Sequence, residues 1–219
     1  MTGSVPVAQV RIINASPDAP GMDIYQGGSA LAHNLAFGTV TSYVAIAPGS
    51  SSIAADAAGS KQQMTLTRGT FTASGQYTVL IGNVAGELTQ TLLTDQAVAA
   101  PSGQISVRFL DQASRFATGV DVYFVPAGST ITTASPVLTN VEFGTNSGYI
   151  NVPSGIYSVV LLPTGSMPDA TTVPIYTGAK VTYATGVVRT LILLDQQIVN
   201  EPGFQMITAN DFDVPAMAN

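Results

Sequence analysis

The sequence predicts an all-β protein built as two tandem antiparallel immunoglobulin-like β-sandwich domains, and three observations carry that expectation. Short runs rich in Val, Ile, Thr and Tyr recur along the 219 residues, with Gly or Pro between them about every ten residues. No stretch of ten or more residues keeps the apolar period of a helix. The chain also restarts its own plan near residue 104.

The elements follow in order. Residues 7–13 alternate, with Val10 and Ile12 on one side and Arg11 on the other, as a half-buried strand does. Residues 16–21 hold two prolines, an Asp and a Gly and read as a loop. Residues 22–26 form the next strand and stop at Gly27-Gly28, while 30–37 fit a strand or one helical turn equally well. Residues 42–47 form a strand, 52–55 a weak one, and 62–71, 76–81 and 87–94 complete the first half. Residues 97–103 have the composition of a linker, which places a first repeat at 5–96 and a second at 104–214. The second half gives strands at 105–110, 120–125, 136–143, 148–152, 156–162, 187–194 and 204–209. Residues 172–185 read as one long strand or two short ones divided at Gly178.

The internal correspondence is specific. Arg11 answers to Arg108, Asp23-Ile24-Tyr25 to Asp121-Val122-Tyr123, and Phe37-Gly38-Thr39 with Tyr43 to Phe143-Gly144-Thr145 with Tyr149. The offset between partners grows along the chain, so the second half carries insertions in loop-like stretches. Val10 to Pro20 followed by Asp23-Ile24-Tyr25, the Phe-Gly…Tyr…Pro-Gly stretch after it, and Leu92-Leu93-Thr94-Asp95 resemble a bacterial and archaeal family known as domain of unknown function 4397. The resemblance is close over residues 8–95. The second half departs from it at the turn, where residues 111–118 replace Asn-Ala-Ser-Pro-Asp-Ala-Pro. The resemblance implies tandem copies, export and frequent lipoprotein attachment, and it supplies no catalytic residues.

Composition narrows the chemistry. Charged residues make up 9% of the chain and the net charge is −6, with no basic run, so nucleic acid is not an expected partner. The chain has no cysteine, which excludes disulfides, thiolate metal sites and cysteine nucleophiles. No apolar run is long enough for a transmembrane segment. The first residues carry no signal peptide, so the chain is either cytoplasmic or a mature exported form; the family resemblance implies the second, in the periplasm, at the cell surface or outside the cell, with a lipid anchor possible in its precursor.

His33 is the single histidine, has no nucleophile elbow to serve, and reads as structural. Asp211-Phe212-Asp213 reads as a solvated tail. No cofactor or metal is expected. Arg11 with Asp23, and Arg108 with Asp121, read as intradomain ion pairs bridging the first two strands of each half. The matched aromatics Tyr25, Tyr123, Phe37, Phe143, Tyr43 and Tyr149 read as core or corner packing. The turn bearing Asn14, Ser16 and Asp18 does not recur, so a function of the first half is expected there. These readings describe a non-catalytic binding, adhesive or spacer module whose partner is a protein or surface polymer. A subunit of an extracellular assembly self-associating by edge-strand pairing, and a hydrolase of a surface polymer, are the alternatives.

Overall fold

The computed structural model describes residues 6–116, 118–197 and 203–214, and the chain divides into two compact units, Met1–Ala97 and Val98–Asn219. Every long element in both is a strand, and the described residues hold no α-helix.

In the first unit the strands are β1 (Ala8–Asn14), β2 (Met22–Gln26), β3 (Ser29–Leu35), β4 (Val44–Ile46), β5 (Gly49–Ala57), β6 (Gln63–Phe71), β7 (Gln76–Gly82) and β8 (Thr89–Thr94). They form two sheets, ordered β4-β1-β7-β8 and β3-β2-β5-β6. Alternation decides which side of each faces the other. Val10 and Ile12 of β1, Val79 and Ile81 of β7, Met22 and Ile24 of β2, and Ile53 and Ala55 of β5 meet in one core.

In the second unit the strands are β9 (Gln104–Gln112), β10 (Val120–Pro126), β11 (Pro136–Val141), β12 (Asn146–Pro153), β13 (Gly155–Pro163), β14 (Tyr176–Thr177), β15 (Val181–Tyr183), β16 (Val188–Asp195) and β17 (Phe204–Phe212). One sheet runs β12-β9-β16-β17; the other runs β11-β10-β13-β14, with β15 also on β13. Their facing sides enclose Ile105, Val107, Phe109, Val122, Phe124, Val159 and Leu161, among others.

Several expectations change here. One sheet of each unit is antiparallel throughout, as expected, while the other is mixed, since β1 runs parallel to β7 and β9 to β16. These are central strands of their sheets and are buried along nearly their whole length, the environment in which parallel neighbours occur; an apolar run does not carry strand direction. The weak strand at 52–55 is the middle of the nine-residue β5, whose outward positions are Ser, Ala and Asp and give little hydrophobic signal. The ambiguous 30–37 is the edge strand β3, distorted where Asn34 takes a left-handed φ of 46°. Residues 172–185 hold two short strands with Gly178 between them.

Candidate functional site

The two recurring Arg residues lie on the outward side of β1 and β9, opposite the core-facing Val and Ile, and each is only 2% exposed. A buried guanidinium requires partners. Arg11 Nε–H donates to Thr78 Oγ1 at 2.9 Å, and the Thr78 hydroxyl donates onward to Asp95 Oδ2 at 2.6 Å. Tyr43 OH donates to the same oxygen at 2.7 Å, the guanidinium lies 3.8 Å from it, and Arg11 stacks 4.8 Å above the Tyr43 ring. The second unit repeats this. Arg108 Nε–H donates to Thr190 Oγ1 at 3.1 Å, Thr190 and Tyr149 donate to Asp211 Oδ2 at 2.7 and 3.0 Å, and Arg108 sits 4.7 Å above the Tyr149 ring.

The expected Arg11–Asp23 and Arg108–Asp121 pairs are therefore corrected. Each Asp belongs to the other sheet of its unit and points outward from it, so the core separates it from the Arg. Asp23 instead accepts the backbone N–H groups of Asn34 at 2.9 Å and Gly59 at 3.0 Å. Asp121 accepts those of Asn140 at 2.8 Å and Gly165 at 3.0 Å. Asn34 and Asn140 have left-handed backbones (φ 46° and 51°), as do Gly59 and Gly165, so each Asp clips an irregular edge strand and a turn to its sheet. The Asn34 and Gly59 N–H groups, with His33, hold the Asp23 carboxyl below its ordinary range.

The turn at 14–21 is held in place by its own polar residues. Asn14 and Ser16 are buried: Asn14 donates its amide to the Leu35 carbonyl and accepts from Ser16 N–H. Asp18 is exposed and accepts from Ala85 N–H. Three of its polar residues are thus used to close the end of the unit. Asp211 is 4% exposed and belongs to the Arg108 cluster, not to a solvated tail. Phe143 is 40% exposed and leaves the core; Phe37 is half-buried.

Tyr25 and Tyr123 part company. Both stand on the outward face of their sheet, one opposite Ala54 and the other opposite Val160. Tyr123 is 2% exposed and packs with Val125, Val160 and Leu162 under Ile131 and Ala134, which come from the connection between β10 and β11. That burial, with Asp121 beside it, pushes the Tyr123 hydroxyl up from its ordinary pKa. In the first unit the same connection is only Gly27-Gly28, both with positive φ, and the face stays open. Where the second unit has Val160 and Leu162, the first has Ala54 and Asp56 at the same register. The result is a cleft of about 500 Å³ lined by Tyr25, Gly28, Ala54, Asp56, Ser60, Lys61 and Gln63. His33, 70% exposed, stands beside it, edge-on to Tyr25 at 6.4 Å and with Nδ1 3.5 Å from Asp23 Oδ1.

Farther along the same hairpin a second hollow, of about 440 Å³, is lined by Ser50, Ser51, Ser52, Arg68, Gly69 and Thr70. Lys61 and Arg68 are exposed, and their side chains take part in no hydrogen bond or ion pair among the described residues. Apart from the buried Arg11 they are the first unit's whole complement of Lys and Arg. Among the described residues no three His, Asp or Glu side chains converge to hold a metal.

The fold and the site together define an all-β chain in which each unit has one mixed and one antiparallel sheet, and the antiparallel sheet of the first unit carries an open, polar face. Its residues 8–123 match the family described as a domain of unknown function, DUF4397, and since that is more than half of its length the chain belongs to this family. A search of the curated proteins gives no match. Solved structures with partial likeness include the Bacillus anthracis TIE protein, at 10% identity and a TM-score of 0.25, covering 86% of this chain. This chain spans 34% of that one. A streptococcal virulence factor solved for its alpha-glucan binding shows 11% identity and a TM-score of 0.27, over 83% of this chain and 92% of that one. The CBMbc module (family CBM26) of Eubacterium rectale Amy13K, solved with maltoheptaose, shows 10% identity and a TM-score of 0.25, over 94% and 97%. All three scores lie well below the level at which two chains share one fold.

Proposed function

We propose that this chain is an exported, non-catalytic binding protein of two tandem immunoglobulin-like domains, 5–96 and 104–214 joined by 97–103. In this reading the first domain recognises a partner at the cell surface and the second acts as a spacer. One observation carries it. Two units with the same strand plan treat the same sheet face in opposite ways, the second sealing it with Ile131 and Ala134, the first leaving a polar cleft around Tyr25. Ligand sites are concave and combine apolar or aromatic contact surface with a few placed polar groups, and this cleft offers Tyr25 and Ala54 with Asp56, Ser60, Lys61 and Gln63. The fold does not require the opening, since the second unit closes it.

The test is binding of the full chain to isolated cell envelopes of the source organism. Tyr25→Ala and Asp56→Asn are expected to weaken it, while Lys180→Ala, an exposed change in the second unit, leaves it unchanged. Equal binding by all three variants would remove the proposal. A second reading, self-association through edge strands, draws on β6 and β17, nine-residue strands at the ends of their sheets. Light scattering that shows a monomer at every concentration would end it.

A further inference from the structure

The ligand class follows from what the open face presents, on the reading that this face is the binding site. We infer that the face formed by β2, β5 and β6 binds a glycan chain, with one sugar ring on Tyr25 and the chain continuing along β5 toward Ser50.

The cleft chemistry points to a sugar. Tyr25 is half-buried, so its ring is held by the sheet while part of it remains open. A flat apolar ring fits the C–H face of a pyranose. Around it stand a carboxylate (Asp56), an ammonium (Lys61), an amide (Gln63) and a hydroxyl (Ser60). An ionised Asp accepts two hydrogen bonds from adjacent hydroxyls, Lys donates three, and Gln both donates and accepts. This mixture matches a ligand whose every edge is hydroxyl. A peptide side chain of one charge or an aliphatic group would leave several of these groups unanswered.

The rest of the face suits a chain rather than a single ring. Going from Asp56 to Ser50, the outward positions of β5 are Asp56, Ala54, Ser52 and Ser50, all small or polar, and Leu66 of β6, opposite Ala54, adds an apolar side chain beside them. That run of seven residues, six steps of strand rise, measures about 20 Å, room for several linked rings. Ser52 pairs with Arg68 and Ser50 with Thr70, which brings a second cation, a guanidinium, and a row of hydroxyls to its far end. Both exposed cations of the unit thus stand on this face, one toward each end, where they donate to ring or acidic oxygens.

The experiment uses the full chain and isolated envelopes in three states: untreated, protease-digested, and oxidised with periodate, which cleaves the vicinal diols of sugars. Binding is expected to survive protease and to disappear after periodate. Tyr25→Ala should weaken it about tenfold, the worth of one stacked ring, and Tyr25→Phe should retain it. Arg68→Ala, away from the first cleft, should weaken it less. Binding that survives periodate and is abolished by protease, with Tyr25→Ala still weaker, would overturn the glycan and leave the face standing as a protein site. Envelope binding that is absent, or indifferent to Tyr25→Ala and Asp56→Asn alike, would remove the face and the glycan together.

Discussion

At the scale of single residues, the chain spends its few charges on definite structural tasks, and the matched positions of the two units show which. Asn14 and Asp111 hold the same place at the end of the first strand. Asn14 meets one acceptor, the Leu35 carbonyl, and one donor, Ser16 N–H. A carboxyl answers that pattern only when protonated. Asp111 is buried, accepts from Ala113 N–H at 2.9 Å and lies near the buried Asp195. Burial first, and the Asp195 charge after it, raise its pKa from 3.8 to about 6 against the lowering effect of that N–H. The folded carboxyl therefore holds its proton more tightly than the unfolded one. Its stabilising contribution is complete below 3.8 and is lost as pH rises through about 6. Asp111→Asn is expected to stabilise the second unit at neutral pH by about 2 kcal/mol and to flatten its melting temperature between pH 4 and 7. A variant whose melting curve tracks the wild type across that range would refute this. Asp23 carries the opposite sign, since its lowered pKa gives stability that is lost as pH falls below 3.8. For Arg11→Met the expected cost is about 3 kcal/mol, because Asp95 then stays buried without its cation. The Asp23 carbon shift, followed by NMR through its titration, should not move in that variant.

At the scale of elements, the strands were legible in the sequence because alternation and turn residues report burial directly. Residues 76–81 and 156–162, apolar and β-branched, lie within β7 and β13. Direction was not legible, since a strand buried on both faces looks the same whichever way its neighbour runs. The Arg partners were missed for a related reason. Asp95 and Asp211 lie far from Arg11 and Arg108 in sequence, and only the parallel pairing brings β7 and β16 alongside to place Thr78 and Thr190 between them. A signal existed: Thr78 and Thr190 recur within matched apolar strands. The open face had its own signal in spacing. Phe37 follows Tyr25 by 12 positions and Phe143 follows Tyr123 by 20, and most of the added length is the connection that carries Ile131. That connection can be tested as an element. Ile131→Ser should expose Tyr123 and bring its hydroxyl pKa back toward 10, read by NMR of ring-labelled tyrosine. An unchanged Tyr123 titration would show that the connection does not seal the ring.

At the scale of the whole molecule, one strand plan appears twice with its outer face open in one unit and covered in the other, and the difference reduces to a few substitutions and one connection. The paired residues Ala54/Val160 and Asp56/Leu162 set polarity, and Gly27-Gly28 against residues 127–135 sets access. Neither change touches the core-facing positions Ile24, Ile53 and Ala55, so the two states of the face exchange without altering what holds the sheets together. This permits a transplant. Replacing Gly27-Gly28 by residues 127–135, together with Ala54→Val and Asp56→Leu, should rebuild the sealed arrangement over Tyr25. The apolar contacts made by Ile131 and Ala134 would offset the entropy of ordering a longer loop, which grows slowly with length. The expected product is folded, has Tyr25 buried with its hydroxyl pKa raised as that of Tyr123 is, and no longer binds envelopes. Full binding by a transplant in which NMR shows Tyr25 buried would mean that recognition lies elsewhere on the chain.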